Sequence, residues 1–318
     1  LVTEKNASNA NLMMSNKSFK NLIMTLSVIF LAIVLFMNFE KITDMFGKNS
    51  EFKYQDSPAI NDYKDGKILG KYSEQEFKKM LITAKNSFSY DNNRDKLQQL
   101  EELKVYIPEV QDIIDKYDGI PQSVIKTVLM YPENFLWVHG FTNSDMTENV
   151  ISKYEKKLDI PYFLQTDTRW GYKRVGNYRF GVVGCGPTSM SMIYMALTKD
   201  YSMTPDKMID FSLENGYYEE SIGTLWKFMT EGAEKLGLKS KEVPLDKNRM
   251  KEELSDSKLI IASVGPGDFT RSGHILVIVG YNNGEFKIYD PNSWVNTEKT
   301  WSYERIAPQI KNMWSISK

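Results

Sequence analysis

The chain has 318 residues, 42% hydrophobic and 13% aromatic, enough to bury the core of one or two domains. Its 40 basic and 41 acidic side chains nearly cancel, and the lack of a basic stripe argues against a nucleic-acid partner. A single cysteine excludes an intrachain disulfide. With only two histidines it leaves too few soft ligands for the usual structural zinc patterns, and no regular acidic loop is present, so no metal or other cofactor is expected.

Residues 1–21 are polar, carry Lys5, Lys17 and Lys20, and read as a cytoplasmic tail. Leu22 to Phe39 (LIMTLSVIFLAIVLFMNF) has no charge, proline or glycine and just reaches the length that spans a bilayer core. A buried soluble helix is the plain alternative, but helices apolar on every side are rare in soluble chains of this size. A cleavable signal peptide is the other, but Asn38-Phe39-Glu40-Lys41 offers no small-x-small cleavage site. The expectation is an uncleaved signal anchor. Lysines precede it and several acids follow, which puts the remainder on the extracytoplasmic side. Residues 40–72 read as a polar tether. A lysine- and asparagine-rich composition fits a low-GC Gram-positive bacterium.

Residues 73–157 read as a small helical region. Ser73 and Glu76 form a capping box, and Phe77, Met80, Leu81 and Ala84 share one helical face. Further helices follow, with Leu97, Leu100 and Leu103, then Val110 and Ile113 after Pro108, then Val124 and Val128 after Pro121. His139 ends this region and, with no acid or cysteine beside it in sequence, reads as a histidine without chemistry.

From residue 158 glycines, aromatics and short strand-like runs become frequent, and residues 158–318 make a comfortable single domain. Gly184-Cys185-Gly186-Pro187 is a turn into a helix expected over 187–197, with Pro187 at its first position. A thiol there lies in the positive end of the helix dipole, which favours its thiolate; a buried structural cysteine is the plain alternative. Further helices are expected over 205–216, 223–236 and 246–254, with strands over 239–243 and 258–264. His274 opens a β-branched run to Tyr281, and Asn282-Asn283-Gly284 turns it into a return strand ending at Asp290-Pro291. If Tyr281 pairs with Glu285, Asp290 becomes the diagonal neighbour of His274 on one face. A two-residue loop without a bulge would put them on opposite faces, and Asn292 is the fallback orienting residue. Cys185, His274 and Asp290 then supply a nucleophile, a base and an orienter, with the Cys185 N–H and the Gln165 side chain as oxyanion donors.

These motifs resemble the papain-like cysteine peptidases of family thirty-nine, the bacteriocin-processing type. The resemblance rests on Ile160-Pro161-Tyr162, Gln165 and Trp170-Gly171, on GCGPTSM around Cys185, on Gly273-His274, and on Tyr289-Asp290-Pro291. It implies an α+β papain-like fold, with a helical lobe carrying the cysteine and an antiparallel sheet carrying the histidine and acid. It also implies the catalytic set Cys185, His274, Asp290 and Gln165. A 19-residue insert separates Gln165 from Cys185 where transporter-fused members have only a few residues, and no ATPase phosphate-binding loop is present. A stand-alone, membrane-anchored relative is expected. It would hydrolyse a peptide-type amide bond through a thioester, acting on a secreted peptide, a surface protein or a cell-wall peptide stem. The alternatives are a peptidoglycan amide hydrolase or transpeptidase, and a catalytically silent surface module of a secretion or conjugation system.

Overall fold

Capping decides where the first helices begin. In the computed structural model, which describes residues 63–64, 67–142, 150–255 and 257–318, the Ser73 side chain accepts from Glu76 N while Glu76 Oε2 accepts from Ser73 N. That reciprocal box starts the helix Glu74–Ser87, whose Phe77, Leu81 and Ala84 are buried. Asp95 caps Lys96–Leu103, and the short helices Val110–Asp115, Gln122–Met130 and Phe135–His139 follow. A two-rung hairpin of β1 (Tyr63–Lys64) and β2 (Lys67–Ile68) precedes them, with Ile68 fully buried in their core. His139 pairs with Asp112 at 3.0 Å. The expected span at Leu22–Phe39 lies outside the described residues, among which no helix is long and apolar enough to cross a membrane.

The described residues all fall in one compact unit. The helical core is continuous with the C-terminal half through Tyr172, Trp294 and Val295, and the Trp137 ring stacks on Tyr172 at 5.8 Å. Lys85 and Ser293 both hydrogen-bond the buried Glu133 carboxylate, tying the first helix to the segment after Asp290.

Two small hairpins stand apart from the main sheet: β3 (Arg174–Val175) with β4 (Tyr178–Arg179), and β5 (Tyr218–Glu219) with β6 (Gly223–Thr224). The main sheet contains β7 (Lys239–Glu242), β8 (Lys258–Val264), β9 (His274–Asn282), β10 (Glu285–Tyr289), β11 (Thr300–Ser302) and β12 (Ile310–Ser317). Their spatial order is β11-β10-β9-β8-β12-β7, antiparallel throughout. Successive residues alternate between two cores. Ile261, Ile275 and Val277 pack with the helix Cys185–Thr198, while Ile260, Leu276 and Ile278 pack with Phe269, Trp301 and Ile306. Burial on both faces explains why these strands read as unbroken apolar runs.

Three expectations need correction. The helix after Gly184 starts at Cys185 itself and runs to Thr198, so Pro187 is its third residue. Proline is tolerated there because the first four N–H groups have no partner within the helix. Residues 223–236 are not one helix. Gly223 takes φ +90° and Gly223–Thr224 pairs back on Tyr218–Glu219, so only Glu231–Lys235 is α-helical. Finally, β9 and β10 join through two residues, not three. Asn283 and Gly284 both have positive φ, as a type I′ turn demands, and Glu285 pairs with Asn282.

Candidate active site

That tight turn alone would separate His274 from Asp290, and a bulge reverses the effect. Lys287 pairs with Gly280, but Ile288 pairs with Ile278, leaving Val279 as an extra residue on β9. From there Tyr289 pairs with Val277, and the same register sets Asp290 opposite Leu276, two residues along from His274. The two side chains meet: His274 Nε2 lies 2.7 Å from Asp290 Oδ1.

Asp290 is fully buried and its carboxylate accepts from three donors, His274 among them. Oδ1 also accepts from the Asn292 N–H at 2.9 Å, and Oδ2 accepts from Asn296 Nδ2 at 2.9 Å. Its backbone is fixed too, with its N–H donating to Thr297 Oγ1 and its carbonyl accepting from the Tyr162 hydroxyl at 2.7 Å. Burial works against ionisation of this carboxyl, but the His274 charge and hydrogen bond, with the Asn296 and Asn292 donors, outweigh it and hold its pKa below the ordinary value. For His274, burial likewise opposes the charged form. The Asp290 carboxylate, by charge and hydrogen bond, and then the neighbouring Cys185 overcome it and raise the imidazole from 6.5 to about 10. His274 is therefore an imidazolium at neutral pH. Because Nε2 faces Asp290, Nδ1 is the ring nitrogen left to serve Cys185.

Cys185 is half-buried at the first position of its helix. Ser189 Oγ in that helix donates to the Ile275 carbonyl at 3.3 Å, fixing the helix start beside the start of β9. Cys185 and His274 line the same open cleft of about 700 Å³. Its walls include Tyr178, Val182, Val183, Tyr218, Thr224, Leu225 and Trp226, and Ser263, Ser272 and Gly273 border it. Glu220 clamps the two small hairpins together, accepting from Asn177 N at 3.1 Å and Asn177 Nδ2 at 2.5 Å.

The structure thus brings together three of the four candidate residues. Gln165 is placed differently. It is buried, its N–H donates to the Pro291 carbonyl at 2.7 Å, and its Nε2 donates to the Gly181 carbonyl at 2.8 Å. The carboxamide lies against the turn whose Val182 and Val183 line the cleft, and is not itself among the lining residues. Asn292, the fallback orienter, gives its backbone N–H to Asp290 while its side-chain oxygen accepts from Asn134.

Sequence reasoning missed Asn296, Thr297, Tyr218 and Thr224. A signal for the first two existed: Ser293 after Asp290-Pro291 is an N-cap, accepting from Asn296 N at 3.1 Å, and the helix Trp294–Glu298 that it starts folds Asn296 back over the acid. Tyr218 and Thr224 were hidden by reading residues 223–236 as a helix. No group of three or more potential metal ligands occurs among the described residues.

Residues 157–318, about half of the chain, match the model of the Peptidase_C39 like family. Among solved structures, the peptidase domain of Streptococcus ComA, a bi-functional ABC transporter involved in a quorum-sensing pathway, is similar at 21% identity. That match covers 46% of this chain and 96% of that one with a TM-score of 0.34. A chain described as a C39-like peptidase from Bacillus anthracis is similar at 14% identity, over 50% of this chain and 94% of that one, with a TM-score of 0.29. No curated protein matches the chain.

Proposed function

The chain belongs to the Peptidase_C39 like family, and from that premise we propose that it is a cysteine peptidase using Cys185, His274 and Asp290. The observation that carries this reading is the hydrogen-bonded His274–Asp290 pair in the wall of an open cleft that Cys185 also lines. Cys185 attacks the carbonyl carbon of a peptide bond as the thiolate, with its proton already on His274. The new C–S bond pushes an electron pair onto oxygen. The Cys185 N–H, with no partner inside its helix, donates to that oxyanion. As the C–N bond breaks, His274 Nδ1 gives its proton to the leaving amine. His274 then takes a proton from water, the hydroxide attacks the thioester, and the thiolate leaves. Asp290 holds the ring throughout and stabilises its charge.

We place this activity on the extracytoplasmic side of a membrane, with Leu22–Phe39 as the anchor. Supporting this are the uncharged 18-residue run and the lysines before it. Alkaline carbonate should leave the full chain in the membrane pellet, and a shortened form in the medium would count against an anchor.

For the chemistry, the full chain in detergent is incubated with a mixed peptide library, and new termini are read by mass spectrometry. Cys185→Ala should cleave nothing while keeping the wild-type circular dichroism and melting temperature. Undiminished cleavage by that variant would remove Cys185 as the nucleophile. Purified peptidoglycan run in parallel separates cell-wall stems from protein substrates.

A further inference from the structure

Two hydroxyls beside the nucleophile have no partner among the described residues. Tyr218 Oη and Thr224 Oγ1 are both buried and make no hydrogen bond there. Buried polar atoms are almost always paired, so each exception calls for a reason. These two are not scattered. Tyr218 and Thr224 are directly opposed on the β5–β6 hairpin, so their side chains share a face, and both line the cleft that holds Cys185 and His274.

The hairpin is pressed onto the nucleophile's helix. A Cβ on Gly186, the residue after Cys185, would lie 2.5 Å from Thr224 Oγ1 and 2.7 Å from Thr224 Cβ. Only glycine lets the Thr224 hydroxyl sit this close to the first turn, where the free N–H groups of the helix point. Tyr218 is 9% exposed, and Cys185 is among the groups that act on its phenol. Burial first, then Glu220, Tyr178 and Cys185, push that phenol up to about 12, so it keeps its proton at working pH and can only gain by donating it to an acceptor. Meanwhile Gln165 has committed one N–H to Gly181.

We propose that the hydroxyls of Tyr218 and Thr224 donate hydrogen bonds to the substrate carbonyl oxygen as it becomes an oxyanion on Cys185, making this hairpin part of the oxyanion hole. The inference rests on the reading of Cys185 as a nucleophile. It adds two catalytic residues to that reading, carried on a hairpin that follows the nucleophile's helix in the chain. Neither hydroxyl has a partner to lose, so removing either leaves the resting fold intact or slightly firmer.

The test compares two reagents that consume the same thiolate. p-Nitrophenyl acetate forms a C–S bond at a carbonyl, passes through an oxyanion and expels p-nitrophenolate. Iodoacetamide forms a C–S bond at a saturated carbon and expels iodide, with no oxyanion at any stage. Tyr218→Phe and Thr224→Val, in the full-length protein, should each slow acylation about a hundredfold, the low end for loss of an oxyanion donor. Their alkylation rates should stay within about twofold of wild type, and their melting temperatures should not fall. Unchanged acylation in either variant overturns the proposal. So does an equal fall in both rates, which would mean the hydroxyl merely positions the thiol. A wild-type Cys185 inert to both reagents overturns the peptidase reading itself and this inference with it.

Discussion

Replacing Asp290 by Asn keeps the shape of the side chain and removes the charge that holds His274 protonated. In the folded chain His274 has a pKa of about 10 against 6.5 for the free group. Each tenfold change in proton affinity is worth ~1.36 kcal/mol, so the bound proton contributes about 4 kcal/mol to the folded state at pH 7. The depressed pKa of Asp290 describes the same contact from the other partner and is not added to it. A raised pKa stabilises in full below 6.5, and its contribution is lost as pH climbs through about 10. Asp290 loses its share only in acid, outside that window. Urea unfolding of wild type and Asp290→Asn, followed by tryptophan fluorescence between pH 7 and pH 10, measures the difference directly. The expected gap is about 4 kcal/mol at pH 7, shrinking to well under ~1 kcal/mol near pH 10. The variant should also alkylate more slowly with iodoacetamide at pH 7, because a neutral imidazole no longer supports the thiolate. A gap that stays constant across the window would refute the argument, since the pair would then stabilise by packing and not by charge.

Three further outcomes follow from the geometry. Asn296→Ala removes the donor to Asp290 Oδ2 and should cost about 1.5–3 kcal/mol by urea unfolding, as expected for a hydrogen bond to a charged group. Gly186→Ala forces Thr224 aside and should cost about 1–3 kcal/mol, with Thr224→Gly in the same chain recovering part of the loss; strictly additive losses would show that the two sites do not touch. Glu133→Ala leaves the Lys85 ammonium with the Ser293 hydroxyl but no counter-charge and should cost about 3–5 kcal/mol, whereas joint replacement of Lys85 and Glu133 by Met should lie closer to wild type in melting temperature.

The sequence by itself determined much of this protein, because several of its signals are local. Ser73 and Glu76 start a helix wherever they stand, since both partners of the capping box lie within one turn. Gly184-Cys185-Gly186 announces a thiol at a helix start, and the apolar run after His274 announces a central strand. The motif resemblance to family thirty-nine agrees with the family that residues 157–318 match. Only the tertiary structure decided what depends on register and on contacts between distant segments. Whether His274 meets Asp290 turned on one extra residue, Val279, which no local preference singles out because bulge and regular ladder use the same side chains. Asn296 reaches the acid only because a short helix turns back over the end of the sheet. Residues 223–236 misled because their helical propensity was real but weak, and pairing between Tyr218 and Thr224 overrode it. The unpartnered hydroxyls of that pair were invisible in sequence for the same reason: a missing partner is a property of the whole fold.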